Sequence, residues 1–312
     1  MNKDREIVTI VIPVRNRKDL VVRTLESVVA QTYRPLHLIV VDNNSTDSTM
    51  NVLEEWSGAN RTEDFQISLL SEMKPGAAAA RNCGLRRVKS DKLLFFDSDD
   101  EMVPTLVEDA MSIFEKNQNL DVVFWRTGRV GRNGKIHKGG YSNKNLFKRN
   151  IYNAQLSTQS FMVRKEFIDK AGGWNESLLC WDDWELGLRL LLNRPRIKGI
   201  NKVLSKIYPQ EDSITGVDFQ SKAGLWEQSI DVCEEDVNRS DYEKKGQLLS
   251  MLNYRRMNLA ALYRREGRID LSKPLLKEAL SHPTLNFCSK VWIKLLYHYT
   301  ALGGRGAYLL WL

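Results

Sequence analysis

Asp97, Ser98, Asp99, Asp100 and Glu101 place four carboxylates within five residues. Like charges that close repel one another unless something positive lies between them. Carboxylate oxygens are hard donors, suited to Mg or Mn, so a divalent cation is one answer; a solvated acidic turn is the plainer one. A second acidic group, Asp182, Asp183 and Glu185, lies in CWDDWELGLRLLLNR between and after Trp181 and Trp184. A carboxylate partly desolvated by tryptophan gains basicity, as a group that removes a proton should. Acids in a first helical turn are also expected from the helix dipole alone. Two acid clusters could therefore divide the work, one holding a cation and the other taking a proton.

The elements around these residues say how they are held. Leu93 to Phe96 form an apolar run without helical period, which reads as a buried central strand ending in the acids. Upstream, strands are expected at residues 7–12, 36–41 and 65–70. Helices are expected at 19–31, after the turn 43–46, and at 76–88. This alternation argues for a parallel sheet with helices on both faces, whose ligands sit beyond the carboxyl ends of the strands. Asp42 ends the second strand there, either as a turn residue or as a ligand contact. Arg81, in the alanine-rich helix, is either an ordinary exposed residue or a partner for a phosphate or base. No glycine-rich phosphate loop occurs. Further along, a helix is expected at 105–116, strands at 121–125 and 160–164, and a helix at 165–171 stopped by Gly172-Gly173. The basic stretch with Lys135, His137, Lys138, Lys144, Lys148 and Arg149 reads as a loop, either simply solvated or mobile near an acceptor.

The chain has 312 residues, 42% of them apolar, and a formal net charge of +7. That is enough for one large α/β domain and an appendage. The charge suits a nucleic acid, an anionic membrane surface or a phosphate-bearing substrate. No nucleic-acid module or interleaving of aromatic and basic residues is present, so nucleic acid is not expected. Cys83, Cys180, Cys233 and Cys288 lack metal-site spacing and read as reduced thiols. The first residues lead directly into a strand, with no signal-peptide pattern and no apolar run of spanning length. The expectation is a cytoplasmic protein, or one peripheral at the cytoplasmic face of a membrane.

Taken together, VTIVIPVRN, SVVAQTYRPLHLIVVDNNSTDST, AAARNCGL, LLFFDSDDEMVP and GGWNESLLCWDDWELGLRL resemble the inverting family 2 glycosyltransferases over the first two-thirds of the chain. The resemblance implies a GT-A fold: a Rossmann-like mixed sheet flanked by helices, here with a helical C-terminal extension. It divides the chain into a catalytic domain at 1–220 and a helical region at 221–312. It also implies metal-dependent transfer of a sugar from a nucleotide-sugar, with UDP as the nucleotide, to a saccharide or lipid-linked acceptor, as in bacterial cell-surface polysaccharide synthesis. Pro13, Val14, Arg15, Asn16, Asp42, Arg81, Asp97 and Ser98 would surround the nucleotide-sugar. Asp99 would hold Mn or Mg. Asp183 would be the catalytic base, with Trp181, Asp182 and Trp184 on the acceptor side.

The chain departs from the family pattern in places. Arg15 replaces a common aromatic residue, DNNS replaces DDGS, and Asp182 replaces a Glu. YPQEDSIT lacks the late histidine found near the metal; Tyr208 and Ser213 match loosely, with Glu211 or Asp212 as substitutes. Two other readings compete. A sugar nucleotidyltransferase would need a glycine-rich loop where PVRNRKD stands. A non-catalytic nucleotide-sugar-binding protein would not need Asp97, Asp99 and Asp183.

From about Ser221 the composition turns helical. Residues 252–265 and 271–280, joined by Glu266-Gly267-Arg268, read as one tetratricopeptide-type hairpin. Such a hairpin must dock on something, with the catalytic domain as first choice and a partner protein as second. Residues 287–312 combine Trp292, Leu295, Leu296, Tyr297, Tyr299, Leu309, Leu310 and Trp311 with Lys290, Lys294 and Arg305. This suits either an interfacial helix at a membrane or a core helix. With a lipid-linked acceptor, membrane contact would let protein and acceptor share a surface.

Overall fold

The computed structural model describes residues 5–209, 219–283 and 285–304. Glu211, Asp212, Ser213, Arg305, Leu309, Leu310 and Trp311 lie outside the described residues. The chain forms two units, 1–144 with 155–210, and 145–154 with 211–312.

In the first unit, β1 (Val8–Val14) is buried at all seven positions, as a central strand covered on both faces must be. It is followed by α1 (Val21–Val29), β2 (Leu36–Asp42), α2 (Thr49–Asn60), β3 (Phe65–Ser71), α3 (Ala77–Arg87) and β4 (Lys92–Phe95). The strands β3, β2, β1 and β4 lie side by side and parallel. The chain thus moves outward from β1 to β3 and returns to its other side with β4. This reversal of direction is where an open α/β sheet leaves a crevice at its carboxyl edge. Asp42 and Asp97 flank β1 at that edge.

Beyond β4 the sheet changes character. After β5 (Glu101–Met102), α4 (Leu106–Lys116), β6 (Val122–Val130) and β7 (Ile136–Lys138) come β8 (Phe161–Arg164), α6 (Lys165–Lys170), α7 (Asp182–Leu192) and β9 (Ile197–Ile207). Strand β8 runs antiparallel to both β4 and β6, and the order is β3-β2-β1-β4-β8-β6-β9-β5, with β7 on β6. The parallel sheet expected from the first hundred residues is therefore half of a mixed one. β9 and β5 are additions to the expected set. RIKGINKVLSKI alternates lysines with apolar residues along one strand and so lacks a continuous apolar run.

The second unit contains α5 (Leu146–Asn153), α8 (Leu225–Arg239), α9 (Lys245–Arg265), α10 (Ile269–Ser281) and α11 (Phe287–Ala301). α5 corrects the expected basic loop: Phe147 packs on Tyr242 and Tyr152 on Tyr254, contacts that local composition does not announce. The expected hairpin corresponds to α9 and α10. Within this unit α9 is covered by α8, α10 and α11, so the hairpin has helical neighbours of its own. Buried Arg256 of α9 ties the unit together through Asp231 and Glu234 of α8 and Glu278 of α10. No helix among the described residues is long and apolar enough to cross a membrane.

Candidate active site

The four carboxylates after β4 have four different environments. Glu101 pairs with Lys206 across the β5–β9 ladder and accepts the Tyr208 hydroxyl at 2.7 Å. Burial opposes its charge, but these two partners outweigh burial and hold the carboxyl below its usual range. Asp100 is 2% exposed and accepts Tyr208 N–H at 2.9 Å and Gln159 Nε2 at 2.6 Å. Burial, then the charges of Asp97 and Asp99, push its pKa up to about 8. Asp97 accepts Arg81 at 2.7 Å through Oδ1 and Gln159 at 2.5 Å through Oδ2. Ser98 is buried between Asp97 and Asp99. Asp99 is held least: Arg17 Nε stands 3.7 Å from Oδ2, too far for a hydrogen bond. Its pKa too is raised, by burial and then by Asp97.

The backbone of this turn is fixed from one side of α1 and from Gln31 just beyond its end. Thr24 Oγ1 donates to the Asp100 carbonyl at 2.6 Å, Ser27 Oγ accepts Met102 N–H, and Gln31 binds Val103 O and Val107 N–H. Arg23 donates to the Asp99 carbonyl and lies over the Tyr208 ring. Thr24 and Ser27 are three apart and Arg23 and Ser27 four apart, so these three share one side of the helix, and Gln31 follows beyond its end.

The second acid group opens α7. Trp181 takes a left-handed conformation (φ 53°), which turns the chain into the helix, and its ring meets that of fully buried Trp184 edge-on at 5.5 Å. Glu185 is fully buried and paired with Arg189, so it braces the helix. Asp183 accepts its neighbour's Trp184 N–H at 2.7 Å and Thr158 N–H at a long 3.4 Å. Burial, followed by repulsion from Asp182, raises its pKa to about 6, while Arg81 pulls the other way. Asp182 is raised for the same leading reason and is likewise opposed by Arg81.

Arg81 joins the two groups. It is 5% exposed, which excludes the reading of an ordinary exposed residue. One terminal nitrogen donates to Asp182 at 2.6 Å, the other to Asp97 at 2.7 Å, and the guanidinium lies 4.3 Å from the Trp174 ring centre. Both terminal nitrogens therefore already serve acids on different elements. A second bridge was not foreseen from sequence. Thr158 reaches Asp183 while Gln159 reaches Asp97 and Asp100, and the Gln159 carbonyl is anchored by Trp125 and Ser205. The available signal was the polar run STQS directly before a buried strand.

On the other side of β1, Asp42 is buried; Oδ2 accepts Ser45 N–H and Oδ1 has no partner. It is thus a turn residue with one acceptor to spare. Asn16, at φ 51°, accepts Thr46 N–H on its side-chain oxygen and donates its own N–H to Ser45 Oγ, tying the end of β1 to this turn. Pro13 and Val14 are buried in β1, and Arg15 is exposed. Among the described residues no three potential ligands already form a metal shell. The donors at hand still fit a hard divalent cation. They are all oxygens, and such ions often complete their shells with phosphate oxygens.

The model of glycosyl transferase family 2 matches residues 9–172, more than half of the chain. The chain is 27% identical over 240 residues to chondroitin synthase of Escherichia coli, covering 76% of this chain and 34% of that one. It is 36% identical over 111 residues to the Escherichia coli UDP-Glc:alpha-D-GlcNAc-diphosphoundecaprenol beta-1,3-glucosyltransferase WfaP, covering 35% of this chain and 42% of that one. The chain thus spans well under half the length of these relatives. Residues 1–349 of S. aureus TarS, solved with UDP-GlcNAc, share the fold at a TM-score of 0.70 and 20% identity, covering 96% of this chain and 89% of that one.

Proposed function

The chain belongs to glycosyl transferase family 2, and from that premise we propose that it transfers a sugar from a UDP-sugar to an acceptor hydroxyl with inversion. The observation that carries this reading is Arg81, which holds Asp97 and Asp182 within hydrogen-bond reach of one guanidinium. A donor-gripping group and a proton-accepting group must face one reacting carbon, and a guanidinium shared by Asp97 and by Asp182, the neighbour of Asp183, keeps the two groups in register. Asp42, with its unmatched Oδ1, suits a base N–H, and Pro13, Val14, Arg15 and Asn16 line the same end of β1.

Asp183 takes the proton from the acceptor hydroxyl as its oxygen bonds to the anomeric carbon. The bond from that carbon to the diphosphate oxygen breaks, and its electron pair leaves with UDP. A divalent cation held by Asp99, beside Asp97, would supply the positive charge that offsets this leaving group. Trp181 and Asp182 border the acceptor side; Trp184, expected there as well, is fully buried and packs behind Trp181 instead. The acceptor is a saccharide, free or lipid-linked; the lipid-linked acceptor named for the WfaP relative supports including the latter.

The test is Asp183→Asn, with transfer and donor binding measured separately on one preparation. Transfer should fall about 10²–10⁴-fold, the usual weight of a general base, while UDP-sugar binding persists. Transfer at the parent rate would remove Asp183 from the role. Labelled UDP-sugar should yield glycosylated acceptor and UDP; release of pyrophosphate would indicate nucleotidyl transfer instead.

A further inference from the structure

Helix α11 has two apolar faces. Ile293, Leu296 and Tyr297 are buried inside the helical unit, where α11 packs on α9. Phe287, Val291, Trp292, Leu295, Tyr299 and the following Leu302 are exposed, Phe287 by 80%, Leu295 by 56% and Leu302 by 90%. At about 100° per residue these six fall within an arc of about 140°, on the side away from the buried one. A helix serving only a core is polar opposite its buried stripe, and isolated surface apolar residues are ordinary; six on one arc are neither.

The charges around the arc point to its occupant. Lys290 and Lys294 are exposed and lie between the two faces, and residues 279–312 contain no Asp or Glu at all. The same unit carries five acids on α8: Glu227, Asp231, Glu234, Glu235 and Asp236. Acid is thus absent from α11 and the segments on either side of it in sequence, and not from the unit. The surface that complements it is apolar within and anionic at its edge. A second copy of the stripe would offer no acid to the lysines.

We propose that α11 docks this protein on an anionic lipid surface, with the apolar arc at the level of the upper acyl chains and Lys290 and Lys294 among the headgroups. The full chain should float with vesicles of phosphatidylcholine and phosphatidylglycerol. Binding should be about tenfold or more above that to phosphatidylcholine alone, and should weaken with added salt. Trp292→Glu with Leu295→Glu should reduce it about tenfold or more, with circular dichroism and the thermal midpoint unchanged, because both side chains are exposed. Lys290→Glu with Lys294→Glu lies outside the arc and should abolish the preference for the anionic vesicles. Parent protein that stays with the unbound fraction, or variants that float as well as the parent, would overturn the assignment. So would a dimer in solution that the Trp292 and Leu295 changes split, without vesicle binding, since a second copy would then cover the face. The readout is vesicle binding, independent of the transfer reaction.

Discussion

Asp183 and Arg81 pull against each other, and the pH profile should record it. Burial raises the Asp183 carboxyl to about 6, and Asp182 adds to this, as does Asp97 across the site. As the proposed base, Asp183 would act only when ionised. Transfer measured as kcat/KM should therefore rise with pH through about 6 and level off above it. Arg81 is the positive group among these charges, and it favours the ionised form. Arg81→Met should move the acid limb to higher pH as well as reduce kcat. Arg81→Lys keeps the charge but cannot reach two acids in a fork, so it should restore the limb more than the rate. An acid limb that stays in place in Arg81→Met, with the rate simply lower, would mean that Arg81 supports the structure and does not set the charge of the base.

Two helices carry this arrangement, one by hydrogen bonds and one by fit. Thr24 and Ser27 of α1, with Gln31 just beyond its end, fix the acidic turn, and α3 presses against β1 through Gly84, one turn beyond Arg81. A Cβ at Gly84 would stand 2.4 Å from Val11 Cγ1 and 3.3 Å from Val41 Cγ2, both in buried strands. Alanine there gains about 1 kcal/mol of helix propensity but overpacks a core at a cost of about 1–3 kcal/mol. Gly84→Ala should therefore lower the thermal midpoint by a few degrees; an unchanged or higher midpoint would show that α3 can lift from the sheet freely. The sequence makes this framework legible where a single segment carries its own signal. The apolar run ending in acids, the β-branched first strand and the tryptophan-flanked acids all stand where expected. Gln159, α5 and β9 were not legible, because each acquires its role from a partner distant in sequence. Gln159 is defined by acids some sixty residues earlier, α5 by aromatic residues of the C-terminal helices, and β9 by pairing with β6 and β5. The acidic run itself looked uniform, yet only partners elsewhere sort it into an ion pair at Glu101, a buried acid at Asp100 and a loosely held one at Asp99.

At the scale of the whole molecule, charge is distributed unevenly. The chain carries a net +7 while its site concentrates carboxylates at one sheet edge. A basic protein draws an anionic nucleotide-sugar toward it, but the acids around Asp99 would repel the diphosphate at contact unless a cation intervened. Donor binding should therefore be coupled to Mn or Mg, and thermal stability reads that coupling. A ligand that binds only the folded state stabilises it by RT ln(1 + [L]/Kd), about 2.7 kcal/mol at a hundredfold excess over Kd. A UDP-sugar with Mn should raise the midpoint by several degrees, and more than the same sugar on another nucleotide. UDP-sugar without metal should do much less. In Asp99→Ala the increment due to Mn should vanish, while any metal-independent part, resting on Asp42 and the end of β1, remains. Should the full Mn-dependent rise survive that substitution, the cation is held by other groups, and the loose contact between Asp99 and Arg17 has a different meaning.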